Sequence, residues 1–184
     1  MELKKGFVEQ WDGEWIQEKL VTRINLSKWQ HQDNTDENII RSIWPKIALP
    51  NHKDAIESVI KKYYNYKKFE DVGDTLKHWQ EIDEVHAYHV DDNVCAVTFV
   101  KIYGNDVEGS QFCWDYERPK LALGHYSLVQ ELNWYKEQGY DHYYMCESTG
   151  KTDDYKTKYV GFEWYTGARW SNNIKRYNEQ INTV

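Results

Sequence analysis

Nowhere in its 184 residues does the chain carry an uninterrupted apolar run near the roughly 20 residues that a membrane span needs. The first residues, Met1-Glu-Leu-Lys-Lys5, lack the apolar stretch of a secretory signal. The expectation is therefore an intracellular, cytoplasmic protein with no membrane partner. Cysteine is scarce: Cys95, Cys113 and Cys146 are odd in number, far apart and without a C-x-x-C pair. They fit buried reduced thiols rather than a disulfide framework or a zinc cage. Only three prolines occur, with no Pro/Ser-rich tract, internal repeat or low-complexity segment. This points to one domain over residues 1–184, with a hairpin and loop region at 1–50, a core at 51–170 and a polar tail at 171–184. Basic charge is also short, 23 Lys and Arg against 30 Asp and Glu, for a net charge of −7. The field of the whole molecule repels nucleic acid, so any RNA contact needs a local basic patch.

What is present in quantity is aromatic: 15 Tyr and 9 Trp. Such rings stack on bases and sugars, and they equally pack sheets, so composition leaves both roles open. The best local basic patch is Lys61, Lys62, Lys67 and Lys68, interleaved with Tyr63, Tyr64, Tyr66 and Phe69. Its plain alternative is a solvated helix end. An apolar share of 40% with 29% charged residues suits a globular protein with a substantial core.

Periodicity divides the chain into elements. Asp12-Gly13 between Phe7-Val8 and Trp15-Ile16 signals an N-terminal hairpin, and 28–37 reads as polar loop. Pro45 and Pro50 punctuate the approach to a helix with Asn51 as N-cap and Ile56, Val59, Ile60 and Tyr63 as its buried stripe. A weaker helical segment spans 74–81, with Leu76 and Trp79 inward. The period then changes to two: strands at 84–90 and 94–103 flank an Asp91-Asp92-Asn93 turn, and a third strand at 110–116 completes an antiparallel meander. Leu128, Leu132 and Tyr135 mark a helix that ends near Gly139, and 140–146 is the next strand. A helix between consecutive strands is the crossover signature of parallel pairing. A short helix at 155–159 and a strand at 162–165 close the core. His86 and His89, three apart on a strand, point to opposite faces, so no metal site is expected there.

The order of these elements resembles the GNAT acyltransferase superfamily, and in detail the C-terminal domain of arginyl-tRNA–protein transferases. The residues that carry the resemblance are Asp115-Tyr116, Ala122-Leu123-Gly124-His125-Tyr126-Ser127, Glu131, Gly139, Tyr143-Tyr144-Met145 and Tyr155-Lys156-Thr157-Lys158-Tyr159. The resemblance implies an α+β fold: a GNAT-like mixed sheet, antiparallel meander then βα crossover, flanked by helices, with the N-terminal hairpin in front. It also implies an acyltransferase that moves an acyl or aminoacyl group to an amine, either a protein N-terminus or a small molecule. The donor is acetyl-CoA or an aminoacyl-tRNA, without a metal, and a tRNA would meet the lysines at 61, 62, 67 and 68. Three departures matter: the family's Cys-rich region is absent, which bears on substrate recognition; the segment 146–151 replaces an aromatic-rich stretch; and Gly161-Phe162 resembles the ending of acetyltransferases, although Pro119 stands where their acetyl-CoA signature carries Gln or Arg.

On this resemblance, backbone amides of Trp114 and of Leu123, Gly124, His125, Tyr126 and Ser127 bind the donor, helped by the positive end of the helix dipole. Acyl transfer needs a polarised carbonyl, an amine that loses a proton and a leaving group that gains one. Tyr155 is the candidate acid at the leaving group, and Asp115, Glu117 and Glu147 are candidate proton acceptors, each with the plain alternative of a solvated charge. A fold that keeps this framework without catalysis, and uses its aromatic surface to bind peptide, sugar or nucleic acid, is the competing expectation.

Overall fold

The computed structural model describes residues 2–10, 13–17, 20–70, 73, 77, 79–117, 119–146, 148 and 150–182. Asp12 of the hairpin, most of the expected helix around 74–78, Arg118 and the candidate Glu147 lie outside the described residues. Hydrogen bonding orders eight strands as β10-β9-β3-β8-β7-β6-β5-β4, and a separate pair, β1 (Phe7–Glu9) with β2 (Trp15–Gln17), forms the N-terminal hairpin. The chain comprises two compact units, Met1–His31 with Ile102–Glu108 and Leu132–Val184, and Gln32–Lys101 with Gly109–Glu131.

In the second unit, β4 (Ile39–Pro45), β5 (Glu84–Val90) and β6 (Asn93–Tyr103) are antiparallel neighbours. Asp91 and Asp92 both take left-handed φ angles of 49° and 62°, which makes a two-residue turn of the kind that matches strand twist. The helix α1 (Lys53–Lys67) buries Ile56, Val59 and Ile60 as its spacing predicts, whereas Tyr63 stays partly exposed. Its N-cap is His52 rather than Asn51, because Pro50 sits within a preceding 3-10 turn, Lys46–His52, that absorbs Asn51. At the other end Lys68 turns left-handed, and Phe69 N–H donates back to the Tyr64 carbonyl at 3.1 Å. Ile39, Tyr88, Val90, Cys95, Ala96, Leu123 and Tyr126 form one apolar cluster, against which Phe112, Trp114 and Leu121 pack.

The third strand of the meander, β7, runs Asp106–Trp114 and not 110–116. Its start was illegible because Asp106 and Glu108 are buried acids, which interrupt the apolar alternation that marks a strand. The helix α2 (Leu123–Glu137) ends as expected: Gly139 has a φ of 84°, and Tyr140 N–H donates to the Tyr135 carbonyl at 3.0 Å. That capping bond takes Tyr140 out of the next strand, so β8 is only His142–Tyr144. It pairs with β7 in parallel, Asp106↔His142 through Glu108↔Tyr144. Within α2, Glu131 is buried, and its Oε1 accepts hydrogen bonds from Tyr88 (2.7 Å) and Thr98 (2.6 Å).

In the first unit, β3 (Thr22–Asn25) lies antiparallel to both β8 and β9 (Phe162–Tyr165), and β10 (Trp170–Ser171) closes that edge. Leu3, Val8, Val21, Tyr144 and Tyr165 form its apolar cluster. Arg23 on β3 donates from Nε and Nη2 to Glu163 Oε2 at 3.0 and 2.8 Å, and Lys28 Nζ donates to Oε1 at 2.8 Å. The residues expected as a polar tail instead include an amphipathic helix, α3 (Ile174–Ile181), which Asn173 caps and which buries Tyr177 and Ile181. Two inward residues four apart suffice to dock one face of so short a helix.

Two measurements test these buried polar contacts. Glu131→Leu removes the acceptor of Thr98 and leaves the Tyr88 hydroxyl its 3.2 Å bond to the Ser127 carbonyl, so urea denaturation is expected to show a loss of about 1–3 kcal/mol, against a smaller loss for Glu131→Gln. Equal losses for the two variants would mean that volume, not hydrogen bonding, sets the effect. Burial alone would raise the Glu163 pKa, but the hydrogen bonds from Lys28 and Arg23 outweigh it and the net shift is downward. A depressed pKa contributes stability above the unfolded carboxylate value, about 4.3, which is lost as pH falls through the folded value. Denaturation curves collected from pH 6 to pH 2, roughly spanning that interval, should show a smaller acid-induced loss for Glu163→Gln than for wild type.

Candidate functional site

Ala122 sets the geometry at the start of α2. Its φ of 45° is left-handed, and its carbonyl accepts from both His125 N–H (2.9 Å) and Tyr126 N–H (3.1 Å). Among the described residues, the amides of Leu123 and Gly124 are the two first-turn donors left for another acceptor, at the positive end of a 15-residue helix. Gly124 is not forced by backbone strain: a Cβ there would meet the Phe112 ring at 3.6 Å, an ordinary contact. The absence of that Cβ instead leaves the amide approachable, with Phe112 beneath it.

The side chains of the expected donor segment divide. Leu123, Tyr126 and Ser127 are buried, and Gly124 and His125 are not. Tyr126 donates its hydroxyl to the Ile39 carbonyl at 3.4 Å, and burial raises its pKa. Ser127 Oγ donates to the Gly124 carbonyl at 3.3 Å. Of these three buried residues only Leu123 therefore keeps a first-turn amide for a donor, because the Tyr126 N–H is bound to the Ala122 carbonyl and Ser127 lies deeper in the helix. Trp114, at the end of β7, is partly buried and packs on the cluster that holds Leu123 and Tyr126, so strand end and helix start belong to one assembly.

Asp115 is the next residue along the chain. Its Oδ2 accepts from Lys62 Nζ at 2.6 Å, and its Oδ1 accepts the Glu117 N–H at 3.0 Å. That hydrogen bond from Lys62 to Asp115 is the largest influence on the lysine and raises its pKa, which stabilises the charged pair. With both oxygens so engaged, Asp115 fixes the turn that follows β7. Glu117 is largely exposed and 3.9 Å from Lys62. Lys61 is 3.6 Å from Glu57, so the ion pairs occupy half of the basic patch, and Lys67 and Lys68 meet no carboxylate among the described residues.

Tyr155 lies in the first unit, on a 3-10 helix, Lys151–Lys158. It is 45% exposed, yet desolvation first, and then the nearby Asp153, raise its pKa well above the usual phenol value. A phenol held in that state keeps its proton and suits a donor, not a base. The next residue, Lys156, is buried; its ammonium donates to the Met145 carbonyl at 3.0 Å and lies 3.5 Å from Ser148 Oγ, which also accepts the Tyr177 hydroxyl at 2.7 Å. The network ties the helix of Tyr155 to the chain leaving β8 and to α3. Sequence reasoning missed it, although Lys156 stands inside the Tyr-Lys-x-x-Tyr motif and Tyr177 is spaced four from Ile181.

Among the described residues, no group of three or more His, Cys, Asp or Glu side chains could hold a metal ion, and no helix is long and apolar enough to cross a membrane.

Solved structures with the same fold include the C-terminal domain of a protein assigned as a lysylphosphatidylglycerol synthetase from Agrobacterium fabrum, with a TM-score of 0.59 and 9% identity over 71% of this chain and 46% of that one. A protein assigned to the GNAT acetyltransferases from Novosphingobium aromaticivorans matches with a TM-score of 0.52 and 11% identity over 82% of this chain and 60% of that one. A glucosamine N-acetyltransferase region of a fungal multi-domain β-N-acetylglucosaminidase matches with a TM-score of 0.53 and 13% identity over 91% of this chain and 21% of that one. The chain thus spans under half the length of the first of these, and such distant likeness shows the fold alone, a GNAT-like acyltransferase fold. No curated protein matches. The family model for the arginine-tRNA-protein transferase C terminus matches residues 46–166, two-thirds of the chain, and the protein belongs to that family.

Proposed function

We propose that the protein is an N-acyltransferase that moves an aminoacyl group from an aminoacyl-tRNA to the amine of a protein N-terminus or a small molecule. The observation that carries this reading is the left-handed Ala122 at the start of α2, whose carbonyl takes the next two amides and leaves those of Leu123 and Gly124 without an acceptor among the described residues, beside the end of β7. In the reaction the amine nitrogen bonds to the donor carbonyl carbon while the carbon–oxygen bond of the ester breaks. The amine loses a proton, and the leaving oxygen gains one.

An α-amine has a pKa of about 8, so it needs little help to lose its proton near neutrality. The sugar hydroxyl of an aminoacyl ester is a poor leaving group and benefits from an acid, the role assigned to Tyr155. Glu117 and Glu147 are the proton acceptors in this proposal, directly or through water, with Asp115 holding the turn. Leu123 and Gly124 bind the donor by their amides in this proposal, and His125, Tyr126, Ser127 and Trp114 shape the site around them. Lys67 and Lys68 remain available to a tRNA backbone.

Acetyl-CoA is the second reading of the donor, favoured by the pairing of Lys61 and Lys62 with Glu57 and Asp115, which removes charge a tRNA would use. The two donors differ in their leaving groups. A thiol, with a pKa of about 8.5, departs without an acid, whereas a sugar hydroxyl does not.

Tyr155→Phe should therefore lower kcat about 100-fold with an aminoacyl ester and only a few-fold with a thioester, with KM within about twofold in each case. Single-turnover assays with each donor and a panel of peptide and small amines measure this. Failure of the wild-type protein to transfer from either donor overturns the transferase and favours the binding module.

A further inference from the structure

An aromatic stack at the surface of the second unit is larger than its packing role requires. Tyr66, on the last turn of α1, lies flat on Tyr116, with centroids 3.8 Å apart and planes 8° from parallel. Tyr116 in turn contacts Trp114, with centroids at 4.0 Å. Lys67 Nζ is 5.4 Å from the Tyr116 ring centre. Tyr66 is nevertheless 60% exposed, and Phe69 beside it is 50% exposed. Burial does not explain an exposed ring held in one plane: fixing a side chain costs conformational entropy that little burial repays here.

We propose that Tyr66, Tyr116 and Trp114 form a stacking platform for the nucleobase of the acyl donor, with Lys67 and Lys68 set to meet its phosphate. The outer face of Tyr66 is already oriented by Tyr116, so a planar ligand ring can add to the pile without a further cost of ordering it. The near-parallel Tyr66–Tyr116 pair, with Trp114 tilted 41° to Tyr116, favours a flat heteroaromatic partner over a sugar, which needs a polar side chain beside the ring. The Asp115 carboxylate, between Trp114 and Tyr116 in the chain, is committed to Lys62 at 2.6 Å. Lys67 lies over the Tyr116 ring and, like Lys68, meets no carboxylate among the described residues, which complements a phosphate tethered to the ligand ring. Both donors considered above, acetyl-CoA and aminoacyl-tRNA, present an adenine, and naming that base rests on the transferase reading. The platform itself rests on the geometry of the rings.

The test is a fluorescence titration of the full chain with 5′-AMP, on wild type, Tyr66→Ala, Tyr66→Trp and Lys67→Ala. Saturable binding is expected, about tenfold weaker in Tyr66→Ala and retained in Tyr66→Trp. Lys67→Ala should weaken AMP more than adenosine. Near-ultraviolet circular dichroism confirms that each variant is folded, as expected for an exposed position. Equal affinity in wild type and Tyr66→Ala, or equally good binding of N-acetyltryptophanamide, overturns the platform. Competition by coenzyme A but not pantetheine assigns the site to a thioester donor, and competition by an oligonucleotide ending in adenosine assigns it to a nucleic acid donor; either result supports the platform. AMP binding through Tyr66 without turnover of any donor would sink the transferase and leave the platform standing. Turnover by a wild type whose AMP affinity ignores Tyr66 does the reverse.

Discussion

A carboxylate with no solvent exposure, that of Asp106, opens the strand on which the acyltransferase framework turns. It accepts from His142 Nδ1 at 2.8 Å and lies 3.4 Å from Lys4 Nζ, and His142 is the residue opposite it in the parallel register of β7 and β8. Burial alone would raise the Asp106 pKa, yet the hydrogen bond and charge of His142, with Lys4, bring it below the usual value. A one-residue slip would part this pair and turn every side chain of β8 to the opposite face. The hydrogen-bonded pair therefore helps to specify the register of a ladder only three residue pairs long, too short for apolar alternation to define alone.

That register determines where the chain goes after β8. It passes through the left-handed Cys146, and Met145 and Cys146 exchange hydrogen bonds with Thr22 at 2.9 and 3.0 Å, so β3 becomes the neighbour of this stretch. Lys156 then binds the Met145 carbonyl, which brings the motif containing Tyr155 onto the same stretch of chain. A buried lysine is costly unless its donors are satisfied, and here a carbonyl, a hydroxyl and Asp153 at 3.8 Å surround it. The burial that raises the Tyr155 pKa and the network that holds its helix thus come from one arrangement.

In the second unit the corresponding device is Glu131, which gathers Tyr88 of β5 and Thr98 of β6 onto α2. Arg41 on β4 adds a hydrogen bond to the Gln130 carbonyl at 2.9 Å. Helix and meander are therefore aligned by polar groups that an apolar core would leave free to slide. The orientation of the α2 N-terminus, with its spare amides, is a consequence of that alignment.

Much of this was legible in the residues. The two-residue aspartate turn, the stripe Ile56-Val59-Ile60, Gly139 as helix stop and the parallel crossover all arise from local chemistry, because each depends on neighbours a few positions away. The segment proposed to bind the donor was readable as a motif, but not the inward turn of Leu123, Tyr126 and Ser127. The early start of β7, the capture of Asp115 by Lys62, the Lys156–Ser148–Tyr177 network and the Tyr66–Tyr116–Trp114 stack were not readable. Each joins residues distant in the chain through polar or aromatic groups whose partners no periodicity encodes. The amino-acid order determined which elements form and in what order. Folding alone decided which charges neutralise one another and which rings meet, since those outcomes depend on burial and on distances that arise only once the elements pack.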